Sequence, residues 1–177
     1  MKSTKVASRY AKALMEIAKE QNKVSSVLKD MKFILQINTS TNDFESLISS
    51  PIISAEKKIQ TFEKVFDQFE DVSKSFVKLI TDNRRESSLP EIAQSFILQV
   101  KDYEGITPIT ITSAVPLEKS VRDVIVTKIQ KSVKHKLEIK EQVDESLIGG
   151  FVVKMGDMEI DASISNQFNN LKKRLVR

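Results

Sequence analysis

The chain contains no cysteine, one histidine, and only four glycines and four prolines in 177 residues. Without cysteine it has neither disulfides nor thiolate metal sites, which suits a reducing compartment. The lone histidine, His135, cannot build a His-rich metal site or pair with a cysteine. It reads as a surface residue of the polar stretch 131–136, at a helix end where a cation complements the helix dipole. No apolar run approaches the ~20 residues that span a bilayer. The opening MKSTKVASRYAKAL lacks an apolar h-region and a cleavage-like site, so neither a signal peptide nor a transit peptide is expected. Charge of one sign is also missing. The formal net charge is +4. Residues 1–104 carry 16 basic and 15 acidic side chains and residues 105–177 carry 12 and 9, so neither half has the one-signed field of a dedicated nucleic-acid binder.

What is present is ordinary globular material, 40% hydrophobic and 29% charged, enough for one medium domain or two small ones. Residues 1–104 read as helix after helix. Ala7, Tyr10, Ala11, Leu14, Ile17 and Ala18 fall at helical spacing and form one apolar stripe. Asn22 is placed to cap a second helix bearing Val24, Val27, Leu28, Met31, Ile34 and Leu35. The polar run 38–42 should interrupt it. A short third helix carries Phe44, Leu47 and Ile48 and ends before Pro51, because the residue preceding proline is pushed out of helical geometry. Ser54 caps a fourth helix with Ile59, Phe62, Val65 and Phe66; a fifth carries Val72, Phe76, Leu79 and Ile80. Ser88-Leu89-Pro90-Glu91 reads as a capping box opening a sixth helix, lined by Leu89, Ile92, Phe96, Val100 and Tyr103. The expectation is a six-helix bundle with antiparallel neighbours over residues 1–104.

At Gly105 the period changes. Ile109 and Ile111 alternate with Thr110 and Thr112 as in a strand. Pro116 should open a helix whose Leu117, Val121, Val124, Ile125 and Ile129 share a face. Leu137, Ile139 and Val143 return to period two, and 144–146 turns the chain into a strand over 147–155. There Phe151, Val153 and Met155 face one side and Val152 the other. Gly156-Asp157 fits a two-residue hairpin turn. Asp161 or Ser163 then caps a last helix with Ile164, Phe168, Leu171 and Leu175. The second half, 105–177, is therefore expected to be a small α/β domain, and the whole an α+β chain.

Candidate sites are few. Asp157, Glu159 and Asp161 begin like a calcium loop, but the required sixth-position glycine and twelfth-position glutamate are Ala162 and Phe168. They read as turn and cap acids. Gly149-Gly150 is followed by no Lys-Ser or Lys-Thr and leads into a strand, so a bulge or close backbone approach fits better than a phosphate cradle. No serine lies in a nucleophile elbow, and no cofactor or metal site is expected. The lysines 128, 131, 134 and 136, with the tail 172–177, read first as solvated faces, since no aromatic residue interleaves to stack bases. Contact with an acidic protein comes second. On the first helix Val6, Tyr10, Ala13, Leu14 and Ile17 cover more circumference than one core stripe needs, which leaves core packing and a groove for a partner helix both open.

Four segments in order resemble one family. They are Ala7-Ser8-Arg9-Tyr10-Ala11-Lys12-Ala13-Leu14, then LITDNRRESSL over 79–89, then Thr112-Ser113-Ala114-Val115-Pro116-Leu117, and finally VDESLIGGFVVKMGDMEIDASI over 143–164. Together they are similar to the delta subunit of F-type ATP synthase, whose mitochondrial relative is the oligomycin-sensitivity-conferring protein. Arg85 departs from the pattern, which has a small or apolar residue there. The resemblance implies a helical domain followed by a smaller α/β domain, in a non-catalytic stator subunit joining the catalytic head to the peripheral stalk. It implies a groove between the first and fifth helices that receives the N-terminal helix of an alpha subunit. Carried onto this chain, that groove uses Val6, Tyr10, Ala13, Leu14 and Ile17 with Val77, Ile80, Thr81 and Asn83. The C-terminal domain would hold the b subunits, with Val152, Phe168, Leu171 and Leu175 as candidates. It also implies a peripheral place on the cytoplasmic face of a bacterial inner membrane, reached through the complex. The alternative reading is a basic adaptor for nucleic acid or an anionic membrane surface, whose binding would collapse with salt.

Overall fold

The structure, a computed structural model, describes residues 5–133, 135–156 and 158–175. It is α+β and divides into two compact units, Met1–Val100 and Lys101–Arg177. Six α-helices precede the first strand: α1 (Lys5–Glu20), α2 (Val24–Ser40), α3 (Asn42–Ser49), α4 (Ala55–Val65), α5 (Asp71–Asp82) and α6 (Leu89–Tyr103). A 3-10 turn at Glu86–Ser88 makes seven helical segments, so the expected count of six is incomplete. The capping-box reading hid it: Ser88 closes the 3-10 turn, which runs straight into α6.

The core of the first unit forms where the apolar stripes meet, with Leu14, Val27, Ile34, Ile80, Ile92 and Phe96 fully enclosed. Stacked Phe62, Phe66 and Phe69 fill the region beside α4. Several helix ends differ from expectation. Asn22 does not cap α2. It takes the left-handed region (φ 56°) and ends α1, with the Lys23 N–H donating to the Ala18 carbonyl (2.8 Å) and the Asn22 N–H to that of Lys19 (3.1 Å). Asparagine tolerates this conformation better than most residues, and the pair of bonds satisfies carbonyls that a helix end leaves open. Arg84 (φ 54°) ends α5 the same way, with the Arg85 N–H donating to Ile80 (2.9 Å). Nor does the polar run break α2 at residue 38. The Thr39 hydroxyl donates to the Leu35 carbonyl (3.1 Å) and that of Ser40 to Gln36 (2.6 Å), so these side chains join the helix rather than competing with it. The α4 cap is as expected, with Ser54 Oγ accepting the Lys57 N–H (3.4 Å).

The second unit contains β1 (Ile106–Ser113), α7 (Lys119–Ser132), β2 (Lys136–Val143), β3 (Phe151–Met155), β4 (Met158–Asp161) and α8 (Ile164–Leu175). The sheet order is β2-β1-β3-β4. β1 and β2 are parallel, with α7 as the crossover; β3 pairs antiparallel with both β1 and β4. The register places Ile139 beside Ile109, Val153 beside Ile111, and Ile160 beside Val153, gathering apolar residues on one face. Ile125 of α7 closes onto Ile109, Ile111 and Val153. α7 starts at Lys119, three residues after Pro116, and its Val121 and Val124 are exposed rather than packed.

β3 begins at Phe151 and not at Leu147, because the two glycines serve another contact. Gly150 has φ +81°, and a Cβ there would stand 2.4 Å from the Ala162 carbonyl oxygen. The Ile164 N–H donates to the Gly149 carbonyl (3.0 Å). The close backbone approach is thus with the segment that starts α8. Met155 pairs with Met158, leaving a two-residue turn in which Gly156 has φ +57°; Asp157 lies outside the described residues. Both expected caps of α8 are used. Asp161 Oδ1 accepts the Ser163 N–H (2.8 Å), and Ser163 Oγ accepts that of Asn166 (3.2 Å). Hydrogen bonds from Ser163 hold the Asp161 carboxyl below the usual carboxylate range.

Candidate functional site

Lys23, just beyond α1, pairs with Glu70, just before α5, at 2.8 Å, so α1 ends where α5 begins and the two run antiparallel. Between them lies a groove of about 280 Å³, lined by Leu14, Ile17 and Gln21 of α1 and by Asp71, Val72, Ser75, Phe76 and Leu79 of α5. Leu14 and Phe76 are its buried floor, while Ile17 is 42% and Leu79 52% exposed on its walls. Two large aliphatic side chains held half in water over an apolar floor form a surface on which a further helix would gain contact at little cost in desolvated polar groups.

The start of α5 is fixed from α2. Asp30, buried, accepts the Glu70 N–H on Oδ2 (3.1 Å), which supplies the cap that α5 lacks from its own side chains. Burial pushes the Asp30 carboxyl above the ordinary aspartate range, opposed by the neighbouring Ser73 hydroxyl and by the hydrogen bond from the Glu70 N–H. The hydrogen bond from Lys23 lowers Glu70, and the same bond raises Lys23.

The residues carried over by resemblance divide in two. Leu14 and Ile17 line the groove. Val6, Tyr10 and Ala13 continue the stripe toward the start of α1; Val6 and Ala13 are exposed and Tyr10 is half-buried against the core. Val77, Ile80 and Thr81 are buried, and the Thr81 hydroxyl donates to the Val77 carbonyl (2.8 Å). They face the core and do not line the groove. Asn83, exposed at the end of α5, donates from Nδ2 to the Leu79 carbonyl (2.9 Å). Sequence reasoning placed Val72, Phe76 and Leu79 on the apolar stripe of the fifth helix but did not name them for the groove, and so missed the α5 wall. The available signal was that α5, like α1, is apolar over more than one face.

In the second unit Val152 is half-buried on β3, on the sheet face opposite Val153, and Phe168 is 71% exposed on α8. The side chains of Leu171 and Leu175 lie outside those described. Among the described residues no group of three or more His, Asp or Glu side chains could hold a metal ion. Among them, too, no helix is long and apolar enough to cross a membrane.

The sequence profile of the ATP synthase delta (OSCP) subunit matches residues 6–175. The chain belongs to that family. The ATP synthase subunit delta of Carboxydothermus hydrogenoformans is 34% identical over 175 residues, covering 99% of each chain. That of Christiangramia forsetii is 30% identical over 175 residues, 99% of this chain and 95% of the relative. A chain in the Toxoplasma gondii mitochondrial ATP synthase hexamer shares the fold, with a TM-score of 0.74 over 98% of this chain and 99% of that one, at 19% identity. The protein is accordingly a structural, non-catalytic subunit of ATP synthase, a component of its stator. The relatives give no support to a basic adaptor for nucleic acid or lipid.

Proposed function

We propose that the α1–α5 groove receives the amphipathic N-terminal helix of an alpha subunit, and that the second unit holds the ends of the b subunits. The chain then joins the catalytic head to the peripheral stalk, on the cytoplasmic face of the bacterial inner membrane. The supporting observation is the pair Ile17 and Leu79, exposed on facing walls above Leu14 and Phe76. A stator transmits force without chemistry, so it needs slow dissociation, and apolar anchors in a preformed groove provide that through the off-rate. Covering the exposed half of a side chain such as Leu79 stabilises the complex by about 1 kcal/mol, and several such anchors accumulate to firm binding.

Titration of the full chain with a peptide of the cognate alpha N-terminal helix tests this. Ile17→Asp, at a position already open to water, is expected to keep the fold and weaken the peptide by at least about tenfold. Binding should depend weakly on salt. A folded Ile17→Asp protein that binds like the wild type would refute the assignment.

A further inference from the structure

Among the described residues, the face of the second unit's sheet that α7 packs on is only half covered. Four strands spaced ~4.8 Å apart put β2 and β4 about 14 Å from each other, whereas a helix with its side chains is ~10 Å across. α7 links β1 to β2 and closes over their side through Ile125 and Ile129. On the other side, Ile160 of β4 is 58% exposed, and Val124 of α7 is 56% exposed opposite it. The space between holds about 480 Å³, walled by Val121, Val124, Lys128, Phe151, Val153 and Ile160. Among the described residues none of α8 lines it.

Its charge is as one-sided as its coverage. Lys128 lines the slot, and Lys131 lies three residues further along the same helix, both exposed. Neither has an acidic partner among the described residues. Arg122, by contrast, is paired with Glu141 of β2. Glu159, between Met158 and Ile160, alternates to the opposite sheet face and cannot neutralise the slot. An apolar floor with unpaired ammonium groups along one edge fits an amphipathic helix whose apolar face is flanked by carboxylates.

We infer that this slot between α7 and β4 is the seat of the stalk partner, and that the partner's helix carries acidic residues beside its apolar anchors. The inference rests on the reading that the second unit holds the b subunits. It places their contact on the α7–β4 face rather than at Val152 or α8.

The test is binding of the extramembrane part of the cognate b subunit to the full chain, with folding checked by circular dichroism. Val124→Asp and Ile160→Asp, both at exposed positions, should each weaken binding by at least about tenfold. Lys128→Glu should weaken it mainly at low salt, and Lys140→Glu on β2 should leave it unchanged. Wild-type binding by the folded slot variants, with loss confined to Phe168→Asp, would overturn the slot while leaving the second unit as the stalk site. Loss only on Leu79→Asp, or no binding by the wild-type chain, would remove the underlying reading and the slot together. Dimerisation abolished by Val124→Asp would assign the slot to a second copy and overturn the inference.

Discussion

Replacing Lys58 with alanine probes the one ammonium group that, among the described residues, the fold takes almost wholly out of water. Lys58 is 2% exposed; its Nζ lies 2.6 Å from Glu86 Oε1 and 3.3 Å from the Ile48 carbonyl. It ties α4 to the end of α3 and to the 3-10 turn. Removing one partner of a buried pair costs ~3–5 kcal/mol, because the other charge stays behind unpaired. The Glu86 side chain keeps 12% exposure, so some water reaches it, and the lower figure of about 3 kcal/mol applies. Lys101 and Glu138 form a pair that is far more exposed, at 27% and 52%, and Lys101→Ala should cost under about 1 kcal/mol. Urea unfolding followed by far-ultraviolet circular dichroism measures both, fitted with separate transitions for the two units. The double variant Lys58→Met/Glu86→Leu should recover most of the loss, since two apolar side chains leave no stranded charge. A cost below about 1 kcal/mol for Lys58→Ala would refute the argument.

Two further outcomes follow from the geometry. Gly150→Ala forces a side chain into the left-handed region and against the Ala162 carbonyl, and should destabilise the second unit by about 2–4 kcal/mol in the same urea assay. Asp30 has its carboxyl raised by burial, so folding takes up a proton between the ordinary aspartate value of about 3.9 and the higher native one. The stability of the wild type relative to Asp30→Asn should therefore rise as pH falls through the native value and level off below about 3.9, as read from urea midpoints across a pH series.

The legible parts of this fold were those in which one face alone is apolar. α2 and α6 announced their core stripes by spacing, and the Ile109–Ile111 alternation announced β1, because a single buried face imposes a single period. α5 did not yield so easily. Val72, Phe76 and Leu79 form one apolar face and Val77 and Ile80 another, and spacing cannot say which packs inward. Both faces are buried, Val72 and Phe76 as well as Val77 and Ile80, and only Leu79, 52% exposed, opens onto the groove. Leu14 shows the same limit. It lines the groove but is fully enclosed, so Leu14→Asp would test folding before binding, and Ile17 or Leu79 is the better probe. Lys58 was invisible because lysine reads as surface, and its burial depends on a glutamate 28 residues away. Asn22 was misread because asparagine serves both to start helices and to end them, and only the backbone angle distinguishes the two roles.

The central claim, that this stator subunit grips the head through an apolar groove, is tested most directly by the dissociation rate of a cognate alpha N-terminal peptide from Leu79→Asp. Leu79 is exposed and on the groove wall, so the variant should fold and release the peptide at least about tenfold faster, while the affinity of the wild type should stay nearly constant from low to high salt. A folded Leu79→Asp protein with an unchanged off-rate, or a wild-type affinity that collapses as salt is added, would contradict it.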